Sequence, residues 1–337
     1  MSISFFEETP TINDIDFNNN FYKSFNFLNI ENMPNLIFNG QKGSGKTIKI
    51  YSLLCSLLDK RVYTIKNNEI ELDKRIFKFK SSIYHLEIDC IELQNNERTF
   101  FNNYLKEYID SRNIGLDIPK IIYLINIDKI NKNSLLYLRK LIESTYQSCK
   151  YIFETNNISF IPESLISRFL IIRVKSPQRD EIELVIKNII KNNKLKITKK
   201  IINNIIDYDA KYKTYYDLNN IFLALNYYID TKEILKNNFY SIIDELINII
   251  LLKKLNFTIT KNIKTICEKI FINCYDVNEL INIISKILLD KYKNNIDICF
   301  KIIELSTACD HDLCRSTGKY FIHLENYFIK LILLLNN

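Results

Sequence analysis

Tryptophan is absent from the 337 residues, and glycine and proline number only five each. So few turn formers and helix breakers argue against an all-β chain and leave helix as the default state. Histidine occurs three times, in contexts that assemble no Ser/His/Asp or Cys/His set for nucleophilic catalysis. No uninterrupted apolar run approaches the roughly 18 residues of a membrane-spanning helix. The C-terminal stretch from Lys319 to Leu335 is broken by His323, Glu325, Asn326 and Lys330, so no membrane partner is expected. The opening segment, MSISFFEETP, holds two acids and no apolar core of a leader peptide. The eight cysteines (Cys55, Cys90, Cys149, Cys267, Cys274, Cys299, Cys309 and Cys314) accordingly read as reduced intracellular thiols.

What is present points to folded domains. Hydrophobic residues make up 47% and charged residues 25%, which excludes wholesale disorder. The length exceeds what one compact core organises and suggests two or three domains. A net charge of +7 permits a nucleic-acid partner without demanding one. Asn and Ile are used heavily, as in the product of an AT-rich genome, so Asn-dense stretches carry little signal.

The first half reads as α/β. Short β-rich runs cover Leu36-Ile37-Phe38, Arg61 to Ile65, Ile83 to Ile88, Ile121 to Ile125, Tyr151-Ile152-Phe153 and Leu170 to Val174. Helical patterns separate several of them: Thr47 to Leu58, Glu97 to Ser111 and Asn133 to Tyr146. Strands alternating with helices predict a mostly parallel sheet covered on both faces. Lys175-Ser176-Pro177 reads as a linker, because proline cannot continue a central strand. Beyond it the pattern is helical. Ile182, Val185, Ile186, Ile189 and Ile190 fall on one face of Asp180 to Asn193, and similar patterns cover Lys200 to Ile206 and Asp217 to Ile229. The expected organisation is an α/β domain over 1–174, a small helical domain over 175–232 and a larger helical domain over 233–337. Apolar stripes in the last, including Ile242-Ile243, Ile247, Ile249 to Leu252 and Ile281 to Ile284, are expected to bury in part against partner chains.

One motif carries chemistry. Gly40-Gln41-Lys42-Gly43-Ser44-Gly45-Lys46-Thr47 matches G-x-x-x-x-G-K-[ST] between an expected strand and an expected helix. The glycines let backbone N–H groups converge on phosphate oxygens, and the helix N-terminus adds partial positive charge. Lys46 is placed to reach the β and γ phosphates, and the Thr47 hydroxyl to hold Mg²⁺. The expected ligand is ATP or ADP with Mg²⁺.

A hydrolysing phosphate-loop protein also needs a strand ending in an Asp that orders Mg²⁺, and in one branch of these proteins a Glu follows it and activates water. In Ile121 to Asp128 the positions after the apolar run hold Ile125 and Asn126. Ile has no ligand oxygen, and Asn accepts no proton. Asp128, farther along, is a candidate for water-mediated Mg²⁺ coordination or for capping the helix near Asn133. The pattern predicts nucleotide binding with weak or absent hydrolysis.

At this point the residues resemble a known family, the small subunits of replication factor C, the AAA+ clamp loader. Asn32 to Gly40 resembles the family's entry to the phosphate loop. Ile127-Asp128-Lys129-Ile130 with Leu138-Arg139-Lys140 resembles its degenerate second strand and the basic helix after it. Thr155-Asn156-Asn157 falls where the family carries its sensor Asn, and Ser167-Arg168-Phe169 resembles its Ser-Arg-Cys signature with Phe in place of Cys. Ile83 to Glu87, Asp310-His311 and Gly318 to Glu325 are similar to one paralogue, the last of the five-membered arc. The resemblance implies an AAA+ core, a small helical lid and a helical collar. It also implies a hetero-pentamer, a sliding clamp and primer–template DNA as partners, and a nucleus or other site of DNA replication as location. Arg168 would act in trans on a neighbour's nucleotide, where a planar, always charged guanidinium suits growing phosphate charge. Asn156 would orient groups at the γ-phosphate. Two family elements are missing: the N-terminal aromatic-Arg-Pro is reduced to Glu8-Thr9-Pro10, and the second sensor Arg is replaced near Asn219.

Other groupings weigh less. Cys309-Asp310-His311-Asp312-Leu313-Cys314 lacks a standard zinc spacing, and His85 on an apolar strand reads as a core residue. Arg139 and Lys140 are candidates for phosphate contact without sequence reading. Lys196 to Lys200 and Lys253-Lys254 read as surface charge. The rival to the clamp-loader reading is a self-sufficient AAA+ remodelling motor, which would need the acid pair that Ile125 and Asn126 replace.

Overall fold

The computed structural model describes residues 29–30, 32–72, 75–93, 96–111, 118–192, 197–212, 216–231, 238–252, 256–273, 275–315 and 320–336. Glu8-Thr9-Pro10, Lys196, Lys253, Lys254, Cys274, Gly318 and Lys319 lie outside them. The chain divides into two compact units, one of Met1–Asp209 with Tyr215–Asp230, the other of Ala210–Thr214 with Thr231–Asn337.

The first unit is built on a seven-stranded sheet. Its strands are β1 (Asn35–Asn39), β2 (Lys66–Leu72), β3 (Arg75–Ser81), β4 (His85–Asp89), β5 (Lys120–Ile125), β6 (Cys149–Thr155) and β7 (Phe169–Arg173). They lie in the order β2-β3-β4-β5-β6-β1-β7. From β4 to β7 every pairing is parallel. Strands β1, β5 and β6 are apolar runs buried on both faces, as strands covered by helices on each side must be. Alternation sorts their side chains into two cores. Leu36, Phe38, Tyr123 and Ile152 join Ile50, Leu53 and Leu54 of helix α1 (Lys46–Leu57). Ile37, Leu124 and Phe153 join residues of two helical segments on the other face. These are α2, which is Glu97–Phe100 and Lys106–Asp110 joined by a π-helical turn at Phe101–Leu105, and α3 (Lys132–Ser144). The architecture is thus the expected parallel sheet with helices on both faces.

Two local expectations are corrected. Arg61 to Ile65 is no strand: Lys60–Tyr63 forms a 3₁₀ turn. Asp59 wins it, accepting from the Arg61 N–H at 2.6 Å and from the Tyr84 hydroxyl at 2.7 Å. Immediately after it, an unexpected antiparallel hairpin, β2–β3, extends the sheet edge. Charged residues mask its period, yet Phe77 and Phe79 point inward onto Phe100, with ring centroids 5.4 and 6.3 Å away. The outward charges, including a Lys78–Glu69 pair at 3.2 Å, also blunt an edge that would otherwise invite further strands.

His85, 0% exposed, is the core residue its context suggested. Its Nδ1 lies 2.7 Å from the Ser82 hydroxyl, its Nε2 is 3.9 Å from Glu87, and Tyr51 packs edge-on against the ring. Burial holds its pKa down at about 4, against 6.5 unfolded. Between those values the unfolded chain binds the extra proton, so stability is full above pH 6.5 and falls as pH drops towards 4. The effect is on the order of a few kcal/mol. Denaturant midpoints at pH 7 and pH 5 should differ in the wild type and converge in His85→Gln; equal pH sensitivity in both would refute this.

After β7, residues 174–178 are irregular, and helix α4 (Arg179–Asn192) buries Ile182, Val185 and Ile186. Helices α5 (Lys199–Tyr212) and α6 (Leu218–Thr231) follow. The second unit contains α7 (Asn238–Leu251), α8 (Phe257–Ile272), α9 (Val277–Lys291), α10 (Ile296–Arg315) and α11 (Tyr320–Asn336). Here the assembly expectation is corrected in detail. Ile242, Ile243, Ile247, Ile249, Ile250, Ile281, Ile283 and Ile284 are all buried within this chain. Of the stripe, Leu252 stays exposed, and other exposed apolar side chains include Phe257, Ile272, Ile296 and Phe300.

Candidate nucleotide site

The loop between β1 and α1 is shaped by its glycines. Gly43 and Gly45 adopt φ of 72° and 84°, the left-handed region that L side chains avoid. Gly40 is required for another reason: a Cβ there would lie 2.4 Å from the Val174 carbonyl oxygen. A Cβ on Gly43 would strike the Asp217 carboxylate at 2.0 Å. That contact exists because the N-terminal end of α6 is laid on the loop, with the Leu218 N–H donating to the Gly43 carbonyl at 3.0 Å. Asn219, near the expected position of a second sensor Arg, instead donates its N–H to Asp217. Gln41 and Lys42 are exposed, and Gln41 Oε1 accepts from the Ser176 hydroxyl at 3.0 Å.

Lys46 is buried at the first turn of α1. Its Nζ donates to the Gly40 and Gln41 carbonyls at 3.0 and 2.9 Å and to Asn156 Oδ1 at 3.0 Å. Asn156, the expected sensor residue, is therefore joined directly to the phosphate-loop lysine. Asn156 Nδ2 in turn reaches Asn126 Oδ1 at 3.4 Å, and Asn126 donates to Asp89 at 3.0 Å. Asn126 holds φ at 55°, a conformation Asn tolerates better than most residues. The ends of β4, β5 and β6 are thus laced to the loop by amides where a hydrolysing site would use acids.

Asp128 serves the backbone and side chains of the β6 end. Its Oδ1 accepts from the Thr155 hydroxyl at 3.1 Å and from the Asn156 N–H at 3.2 Å. The helix-capping role belongs instead to Asn131, whose Oδ1 accepts from the Ser134 N–H at 3.0 Å. Arg168 stands at the surface just before β7. Its guanidinium meets Glu143 at 2.6 Å, and it also donates to the Ser164 carbonyl and the Ser167 hydroxyl. Phe169 beside it stacks on Phe153, centroids 4.3 Å apart. Arg139 and Lys140 both lie on α3, and Arg139 is 3.6 Å from the same Glu143.

Sequence reasoning missed Glu154. It lies on β6, in register with Phe38 of β1. Its Oε2 accepts from the Thr47 hydroxyl at 3.0 Å and from the Tyr123 hydroxyl, and Oε1 is 3.8 Å from Lys46 Nζ. Desolvation raises the Glu154 pKa and lowers that of Lys46, while their mutual attraction opposes both shifts. An acid inside an apolar central strand was the available signal, since such residues are rarely buried unless paired.

This donor set suits a magnesium–phosphate group: a threonine hydroxyl, a carboxylate and a buried lysine at the first turn of a helix that follows a glycine loop. The Ser44 hydroxyl, buried without a hydrogen-bond partner, adds a polar atom that a ligand could satisfy. Fold and loop together define an α/β core of the phosphate-loop kind: a largely parallel sheet with a glycine loop between β1 and α1. No protein-family model matches the chain. Among curated proteins it is similar to replication factor C subunit 5 of Schizosaccharomyces pombe, 28% identical over 185 residues. That match spans 51% of this chain and half of the relative's length. It is similar to a putative replication factor C small subunit of Acanthamoeba polyphaga mimivirus, 24% identical over 332 residues (94% of this chain, 86% of the other). Replication factor C subunit 5 of Saccharomyces cerevisiae is 25% identical over 322 residues, 89% of each chain. A solved structure of the Aeropyrum pernix ORC1 protein in complex with DNA aligns over 90% of this chain and 78% of its own, at 10% identity and a TM-score of 0.44.

Proposed function

We propose that this chain is a small subunit of a clamp loader of the replication factor C kind, most similar to the paralogue at the end of the arc. It binds ATP or ADP with Mg²⁺ and helps place a sliding clamp on primer–template DNA. The observation that carries this is a complete phosphate loop, wired through Lys46 to Asn156, together with a β5 that ends in Ile125 and is followed by Asn126. Gly40, Gln41, Lys42, Gly43, Ser44, Gly45 and Lys46 cradle the phosphates, and Thr47 holds the metal. Mg²⁺, when bound, neutralises phosphate charge. Residues 175–232 serve as the lid and 233–337 as the collar. Arg168 serves the neighbour's site. Its present partner, Glu143, is a half-exposed ion pair worth no more than about 1 kcal/mol, so little opposes its transfer to a partner's phosphates. Arg139 and Lys140 are the cations we assign to the DNA backbone. The rival, a self-sufficient motor, is disfavoured by the same Asn126.

Assembly tests the proposal. Ile296, Phe300 and Ile303 recur at helical spacing on α10 and are exposed, Phe300 at 68%. Phe300→Asp should abolish co-purification with related clamp-loader subunits. As an exposed substitution it should change the stability of the isolated chain by no more than about 0.5 kcal/mol. Wild-type chain that sediments as an indifferent monomer in the presence of those subunits would remove the collar assignment.

A further inference from the structure

Phosphate-loop sites hold Mg²⁺ between the loop Ser/Thr hydroxyl and a carboxylate at the end of a neighbouring strand. Ile125 and Asn126 offer none. Four acids near the loop have buried side chains, and each has a different engagement. Asp128 holds Thr155 and Asn156. Asp217 packs on Gly43 and accepts from the Asn219 N–H. Glu87 takes the Tyr51 hydroxyl and lies 3.4 Å from Lys80. Glu154 alone of the four bonds to Thr47, at 3.0 Å. It comes from β6, the strand directly beside β1, so its carboxylate reaches the start of α1 without crossing an intervening strand.

Burying a carboxylate costs several kcal/mol unless it is paired and hydrogen-bonded. Two of the partners of Glu154 are the residues whose chemistry is phosphate and metal binding, Lys46 and Thr47; the third, Tyr123, fixes its orientation from β5. The second observation is independent. Ser44, 1% exposed within the same loop, has a hydroxyl without a hydrogen-bond partner. A loop that leaves a buried hydroxyl unpaired is shaped for a polar ligand.

We propose that Glu154 replaces the missing strand-end acid and forms, with Thr47, the magnesium site of the phosphate loop, the carboxylate being supplied from β6 in place of β5. The inference rests on the nucleotide-binding reading above and goes beyond it by naming the carboxylate. Mg²⁺ ordering is restored by this replacement, while Asn126 still leaves water without a base.

The test is the affinity of the purified full-length chain for ATP, measured calorimetrically in excess Mg²⁺ and in EDTA. For the wild type, Mg²⁺ should tighten binding by about 10- to 100-fold, the usual weight of a metal-orienting partner. Glu154→Gln is isosteric, and its amide oxygen still accepts from Thr47 and Tyr123. It should keep or improve the affinity in EDTA, having lost a negative charge near phosphate, and lose the Mg²⁺ gain. A wild-type ratio near one, or an equal ratio in wild type and Glu154→Gln, overturns the inference and leaves nucleotide binding standing. Absence of ATP binding in either medium overturns both readings. Should Glu154→Gln fail to fold, Glu154→Asp decides: a carboxylate one methylene shorter must reduce the Mg²⁺ gain with the EDTA affinity unchanged, and an undiminished gain refutes the role.

Discussion

Arg168→Ala is expected to leave nucleotide binding by this chain untouched and to depress hydrolysis at the adjoining subunit's site. The side chain stands at the surface before β7 and makes no contact with the phosphate loop among the described residues; its ties are to Glu143, Ser164 and Ser167. Its removal therefore disturbs a surface ion pair, a helix-end carbonyl and an exposed serine hydroxyl, a stability change of about 1 kcal/mol or less. If the guanidinium is delivered to a neighbour's phosphates, the loss there should be about 10³- to 10⁵-fold at that interface. Total ATPase of an assembled complex will fall less, because other interfaces continue to turn over. Arg168→Lys should rescue little, since an ammonium cannot reproduce the bidentate fork. Glu143→Ala supplies a control: it frees Arg168 without removing it, and activity should hold. The measurement is steady-state ATPase of the reconstituted complex with clamp and primed DNA. If Lys46→Ala abolishes activity while Arg168→Ala does nothing, the chain is a motor in its own right.

Which parts of this molecule were legible in its sequence follows from physical range. The phosphate loop was readable because its requirements are local: φ-positive glycines, one lysine and one hydroxyl within eight consecutive residues. The parallel strands were readable because burial on both faces leaves an apolar run, unbroken from Ile121 to Ile125 in β5 and shorter, Tyr151-Ile152-Phe153, in β6. The β2–β3 hairpin was not, because Phe77 and Phe79 of β3, with Ile70 and Leu72 of β2, face the core while charged residues between them obscure the period. The 3₁₀ turn at Lys60–Tyr63 hid behind β-prone residues, and what overrode them was a hydrogen bond from the distant Tyr84 to Asp59. Glu154 was missed for the reason that makes it informative. Its significance lies in Thr47, Lys46 and Tyr123, all remote in sequence and brought together by the order of the strands. The apolar stripes of α7 and α9 were recognised as packing surfaces, but a stripe alone does not say whether its partner lies in the same chain; here it does.

The chain by itself should hold adenine nucleotide and turn it over hardly at all. Lys46 makes three hydrogen bonds that converge at the head of the loop, on Gly40, Gln41 and Asn156. Lys46→Ala removes the buried cation there, and nucleotide affinity should drop by about 10- to 100-fold, the equivalent of a charge-assisted hydrogen bond of roughly 1.5–3 kcal/mol. Turnover is a separate matter. A base must accept a proton from attacking water, and the position after β5 that should provide it holds Asn126, whose amide instead bonds Asp89 and Asn156. Restoring metal order through Glu154 does not supply that base, because the Glu154 carboxylate already accepts from Thr47 and Tyr123 and lies buried beside Lys46. The isolated chain should therefore hydrolyse ATP no faster than about 10⁻⁴ to 10⁻² per second, the range of unassisted P-loop proteins. Asn126→Glu is the complementary change. An acid there would have to displace the amide bridge to Asp89 and face a like charge 3.0 Å from where Nδ2 now lies, so it should destabilise the β4–β5 end without creating a working site. Single-turnover hydrolysis of radiolabelled ATP by the purified chain settles the matter: a rate of about 1 per second or more, abolished by Lys46→Ala, would show that a base exists elsewhere in this site and that the amides at its rim are no bar to catalysis.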